Sequence, residues 1–127
     1  MLLHNIIKGI RLILASNSPR RQQLLKGLDV DFEIWYTNHE DESYPDDLPV
    51  VEVPIYLAKH KASFFTERLS ADTVLITCDT VVICDGKVLG KPLDYVDAVN
   101  ILKQLSGNKH TVITGVCLST IGKTTCF

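Results

Sequence analysis

The segment LILASNSPRRQQLLKGL, Leu12 to Leu28, sets two serines and two adjacent arginines where an apolar run gives way to a helix start. The N-terminus of a helix presents unpaired N–H groups and the positive end of the dipole, a ready anion site. Ser16 and Ser18 add hydroxyls. Arg20 and Arg21 fall at N2 and N3, where the dipole disfavours cations. A nearby anion removes that penalty, and guanidinium groups grip phosphate oxygens in pairs. The competing reading is a solvated pair, or salt bridges to acidic residues elsewhere. ASNSPRR has no glycine and no GK[ST], so it is not a Walker motif.

Other residues could join such a site. Asp79 is a lone acid within VLITCDTVVIC. Burying it costs free energy unless it is paired or functional, and a structural Asp held by backbone or arginine fits equally well. Lys91 lies between Gly90 and Pro92, before a helix; on its own it reads as a surface lysine. Lys59 and Lys61 flank an apolar helical stripe on opposite sides, and spacing does not choose between them. Residues 27–58 hold nine acidic residues and no Lys or Arg, a solvated loop or a set of carboxylates for a cation. If these groups converge, the arginines and lysines surround a polyphosphate and carboxylates hold Mg2+ between its oxygens. A carboxylate also orients or deprotonates a water that attacks phosphorus. Phosphoanhydride hydrolysis is the chemistry this set describes. No G-x-S-x-G motif and no recognisable Cys–His spacing competes with it.

The elements that must position these groups read as an α/β chain. Arg11–Ala15 is a short buried strand and Ser16–Pro19 a turn. Ser18 caps a helix with Pro19 at N1, running to about Lys26, with Gly27 at C′. A second strand spans Phe32–Thr37. A helix covers Pro54–Leu69, with Ile55, Ala58, Ala62, Phe65 and Leu69 as its buried stripe. Thr73–Thr77 and Thr80–Ile83 are strand-like, and Asp85-Gly86 turns a hairpin. A helix from about Tyr95 to Ser106 takes Asp94 as cap, Asp97 at N3 and Gly107 as its stop. HTVITGVCLST is a further strand.

The chain has 127 residues, enough for a single domain spanning 1–127, with no internal linker. Its net charge of −2 and its lack of an aromatic–basic surface pattern argue against nucleic acid. No apolar run reaches membrane-spanning length and no signal-peptide pattern opens the chain, so a cytoplasmic location is expected. Cys78, Cys84, Cys117 and Cys126 show no C-x2-C spacing and read as free thiols without a disulfide.

The residues match a known family in order and spacing. The segments are LILASNSPRRQQLL, DES at 41–43, LAKHKA at 57–62, CDTVV at 78–82, DGKVLGKP at 85–92 and LSGNKHTVITGV at 105–116. The chain resembles the Maf family of nucleoside triphosphate pyrophosphatases. The resemblance implies an α/β, inosine-triphosphatase-like mixed sheet with flanking helices and a cleft between two lobes. It implies cleavage of a nucleoside triphosphate to monophosphate and pyrophosphate with a divalent metal, Mg2+ or Mn2+, and a homodimer. Carried over by motif, Ser16, Arg20 and Arg21 match the phosphate-binding loop, and Lys61 the lysine of L-A-x-x-K-A. Glu42 matches the acidic metal-site residue. Asp79 is the catalytic acid, as base or metal ligand, and Lys91 is the lysine of G-K-P. SPRR together with Asp79-Thr80 resembles the branch acting on dTTP and UTP rather than the branch with S-P-W-R-R and D-Q. One departure stands out: the family continues with a DKAGAYGIQG-like segment that IGKTTCF does not resemble. A non-catalytic nucleotide-binding regulator of cell division, or an inactive fragment, is the alternative expectation.

Overall fold

The computed structural model of the chain describes residues 8–36, 43–90 and 93–127. Six strands form one mixed sheet: β1 (Arg11–Ala15), β2 (Glu33–Trp35), β3 (Thr73–Cys84), β4 (Lys87–Leu89), β5 (His110–Thr120) and β6 (Lys123–Cys126). Their order is β2-β1-β3-β5-β6, with β4 also paired to β3. The described helices are α1 (Pro19–Lys26), α2 (Val53–Ser63) and α3 (Tyr95–Leu105).

β1 runs parallel to both β2 and β3, the arrangement a strand–helix–strand unit produces. β3 is one continuous strand, where the sequence suggests two runs broken at Asp79. Antiparallel pairing with β5 carries it through, with Asp79 opposite Gly115. Asp85 and Gly86 both have positive φ, 53° and 74°, as the tight β3–β4 hairpin requires.

β3 has two edges, and β5 occupies one of them from Leu75 to Cys84. On the other edge β1 ends its pairing at Ile76, and β4 begins at Val82. Residues 77–81 therefore have no ladder partner on that edge among the described residues. The cleft expected between two lobes is this gap, bounded by β1 and α1 on one side and by the β3–β4 hairpin on the other.

Alternate residues of β3 point to opposite faces. Thr73, Leu75, Thr77, Asp79 and Val81 are buried under α2, while Thr80 on the opposite face is exposed. Two apolar clusters fill the α2 side. One joins Ile13, Ala15, Ala62, Phe65, Leu69 and Leu75; the other joins Val53, Leu57 and Val81. α2 lies close against β5: a Cβ on Gly115 would stand 2.5 Å from the Pro54 carbonyl carbon.

Several local expectations change. The Pro54–Leu69 helix is α2 plus a separate 3-10 turn, Thr66–Arg68, with Phe65 and Leu69 still buried. Gly27 closes α1 in right-handed geometry, φ −63°, and Asp29 takes the left-handed position. Cys117 and Cys126 are joined in a disulfide instead of being free thiols, which leaves Cys78 and Cys84 reduced. The cause is register. IGKTTCF returns as β6, and Val116 and Phe127 exchange both backbone hydrogen bonds. Cys117 and Cys126 then face each other at the close, non-hydrogen-bonded position of the ladder, with Cα atoms 4.1 Å apart. No described helix is long and apolar enough to cross a membrane.

Candidate active site

Ser18 caps α1 as its sequence position predicts, its Oγ accepting the Arg21 N–H at 3.3 Å. Pro19 has no N–H and that of Arg21 is taken, so the anion-attracting power of this end rests more on side chains than on backbone. Ser16 is buried and builds the turn: its Oγ accepts the Ser18 N–H at 3.1 Å, and its carbonyl accepts Gln22 Nε2 at 3.0 Å.

The Cys78 carbonyl lies at the unpaired edge of β3 and is the point where the site closes. Arg21 Nη1 donates to it at 3.3 Å and Lys61 Nζ at 3.2 Å. These cations arrive from α1 and α2 respectively. The β1 strand that would have taken this carbonyl has already ended. Arg21 Nη2 also donates to Thr80 Oγ1 at 2.9 Å. Lys61 Nζ stands 3.1 Å from Asp79 Oδ2. The structure thus selects Lys61 over the exposed Lys59. Asp79 Oδ2 is buried, and Lys61 is its ion-pair partner without the alignment of a hydrogen bond. An oxygen with an unused lone pair remains there.

Two cavities flank β3. A cavity of about 670 Å3 is lined by Arg20, Arg21, Thr80 and Thr114 together with Leu24 and Leu25 of α1 and Leu28 just beyond it. A smaller one of about 130 Å3 is lined by Asp79, Thr80, Leu57, Val88 and Gly90 among others. Arginines and carboxylate therefore lie on opposite faces of the strand, and Thr80 lines both cavities. A polyanion reaching across the free edge between Thr77 and Val81 meets both sets. Burial pushes the Cys78 thiol above its ordinary value, with Arg21 and Lys61 pulling it down and Asp79 pushing it up. It is a neutral thiol near pH 7 and a poor nucleophile.

Arg21, Lys61, Asp79 and Thr80 meet around the Cys78 edge of β3, and Arg20 lines the larger cavity beside Arg21. Glu42 and Lys91 lie outside the described residues. No group of three or more potential metal-ligating side chains occurs among the described residues. Sequence reasoning missed Thr114, whose hydroxyl meets that of Thr80 at 2.9 Å, and the close approach at Gly115. Both depend on a β3–β5 register set across 34 residues, for which no local motif exists.

A family model described as Maf-like protein matches residues 11–126. The dTTP/UTP pyrophosphatase of Bacteroides fragilis is 46% identical over 117 residues, 92% of this chain and 61% of the relative. That of Phocaeicola vulgatus is 46% identical over 121 residues, 95% of this chain and 62% of the relative. That of Bacteroides thetaiotaomicron is 49% identical over 110 residues, 87% of this chain and 57% of the relative. The chain thus spans about three fifths of the length of the curated relatives it matches. Among solved structures, a nucleoside-triphosphatase / dITP/XTP pyrophosphatase from Mycobacterium abscessus aligns with a TM-score of 0.51 and 14% identity over 93% of this chain and 70% of that one. The Staphylococcus aureus Ham1 protein aligns with a TM-score of 0.53 and 12% identity over 92% of this chain and 67% of that one. Such low identities show a common fold.

Proposed function

Because this chain belongs to the Maf family, we propose that it serves a nucleoside triphosphate pyrophosphatase that converts dTTP or UTP, with water, to the monophosphate and pyrophosphate. The observation that carries this reading is the convergence of Arg21 and the Lys61–Asp79 pair on one unpaired strand edge. The names of the relatives supply the nucleotide.

In this reading Arg20 and Arg21 bind the polyphosphate, and Arg21 is already oriented by Cys78 and Thr80. Lys61 pairs with Asp79 and holds it in place. Asp79 orients a water and accepts its proton as that water attacks the α-phosphorus; the bond to the bridging oxygen breaks and pyrophosphate leaves. Ser16 holds the turn, Thr80 contacts the substrate, and Lys91 adds a further cation. A divalent ion, Mg2+ or Mn2+, fits this donor set: Asp79 brings a hard oxygen with an unused lone pair. Mg2+ is commonly held by one or two carboxylates together with substrate phosphates. Asp79 and Glu42 would hold it, and it would neutralise charge on the phosphate oxygens. A cytoplasmic homodimer completes the proposal.

The test is pyrophosphate release from dTTP and UTP with Mg2+, paired with calorimetry. Turnover is expected, with Asp79→Asn losing most of it while still binding nucleotide. Binding without turnover by the unmodified chain would overturn catalysis in favour of a nucleotide-binding regulator. Neither binding nor turnover would refute both.

A further inference from the structure

Thr80 and Thr114 face each other across the β3–β5 ladder and line the large cavity. Their hydroxyl oxygens are 2.9 Å apart, and Thr80 Oγ1 also accepts from Arg21 Nη2 at 2.9 Å. A hydroxyl has one proton and two lone pairs. The pair therefore holds two protons, and only one lies between the two oxygens. If Thr114 donates to Thr80, both lone pairs of Thr80 are filled and its own proton points away from the pair. If Thr80 donates to Thr114, the Thr114 proton is left over. Either way one O–H donor remains: the Thr80 proton, directed by the mutual bond and by Arg21, or the Thr114 proton, directed by the mutual bond.

We infer that Thr80 and Thr114 act as one recognition unit that donates a hydrogen bond to an oxygen acceptor of the bound nucleotide, a base carbonyl or a phosphate oxygen. Thr114 is then a further nucleotide-binding residue, and one that sets specificity where the acceptor is a base carbonyl. The inference rests on the pyrophosphatase reading of the same site. A lone hydroxyl could also donate, but it would be free to swing. Pairing preorganises the donor, which is where the affinity arises. A ligand without an acceptor there leaves a donor unpaired as water is excluded.

The experiment is calorimetric binding of dTTP, UTP and inorganic triphosphate to the wild-type chain, Thr114→Val, Thr114→Ser, Thr80→Val and the double valine variant, with thermal melts as a folding control. Valine suits an exposed strand position, so each variant is expected to fold. Thr114→Val should weaken dTTP binding ~10-fold, the loss of about one hydrogen bond. Thr114→Ser should restore it, and the double variant should be no worse than Thr80→Val alone, the signature of coupled residues. A loss shared with inorganic triphosphate supports the pair and assigns the acceptor to phosphate; a loss confined to dTTP and UTP supports it and assigns a base carbonyl. Unchanged binding in Thr114→Val, a serine variant as weak as valine, or losses that multiply in the double variant would overturn it. A wild-type chain that binds neither nucleotide would instead overturn the functional reading.

Discussion

Gly115 gives the sharpest test of how the site is assembled, because it is opposite Asp79 and beneath the first turn of α2. A Cβ there would lie 2.5 Å from the carbonyl carbon of Pro54, 2.6 Å from Ile55 N and 2.7 Å from the Pro54 carbonyl oxygen. Ordinary contact for a Cβ begins near 3.4 Å, so Gly115→Ala must push the helix back by about 0.9 Å. All three atoms are backbone, so no side-chain rotation relieves the clash. Overpacking costs about 1–3 kcal/mol, and a backbone clash belongs at the top of that range. For a chain of 127 residues, about 3 kcal/mol corresponds to a fall in Tm of ~10 °C. α2 also carries Lys61, so its displacement should loosen the pair with Asp79 and weaken nucleotide turnover beyond the stability loss. Urea and thermal denaturation measure the first effect, and turnover well below Tm measures the second. Gly90→Ala is the control: a Cβ there meets nothing within 4 Å, so a change within ~0.5 kcal/mol is expected. If Gly115→Ala were equally silent, α2 would not approach β5 as described, and the placement of Lys61 would fail with it.

Lys61→Met should cost about 3 kcal/mol at neutral pH by leaving Asp79 buried without its cation, and adding Asp79→Asn should recover most of that in urea denaturation. Thiol titration of the unfolded, unreduced chain should find two thiols, Cys78 and Cys84, while Cys126→Ser should lower stability by about 2–3 kcal/mol through loss of a short closed loop. The Arg11 guanidinium holds the exposed Glu33 carboxyl below its ordinary value near 4.5. Its contribution is therefore full above that value and lost as pH falls through the lowered one, so Tm between pH 6 and 3 should fall less steeply in Glu33→Gln than in wild type.

The elements around Arg20 and Arg21 are legible in the sequence because they rest on local chemistry. Ser18, Pro19 and the leucines of LILASNSPRRQQLLKGL specify a strand, a capped turn and a helix within a few residues of one another. The Asp85-Gly86 hairpin and the Asp94 cap, which accepts the Asp97 N–H at 2.8 Å, are local in the same way. The second helix is less legible: Phe65 and Leu69 keep the helical rhythm and are buried, yet the chain turns as 3-10 between them. A periodic apolar stripe records which side chains are covered, not whether the backbone continues as one helix.

The residue types of the site, and the family they resemble, are carried by the sequence alone: paired arginines at a helix start, one acid in an apolar strand, lysines at fixed offsets. Pairings between distant segments belong to the tertiary structure. It turns Lys61 rather than Lys59 toward Asp79, a choice that spacing leaves open and only the L-A-x-x-K-A match makes, since it depends on which helical face meets β3. It sets Thr114 beside Thr80 and Cys126 beside Cys117, because antiparallel register is a property of two strands together. It also creates the opening itself. β1 stops at Ala15 and β4 begins at Lys87, so among the described residues one edge of β3 has no ladder partner where the Cys78 carbonyl accepts both cations. No single segment encodes that gap, because it is the difference between the ends of two strands.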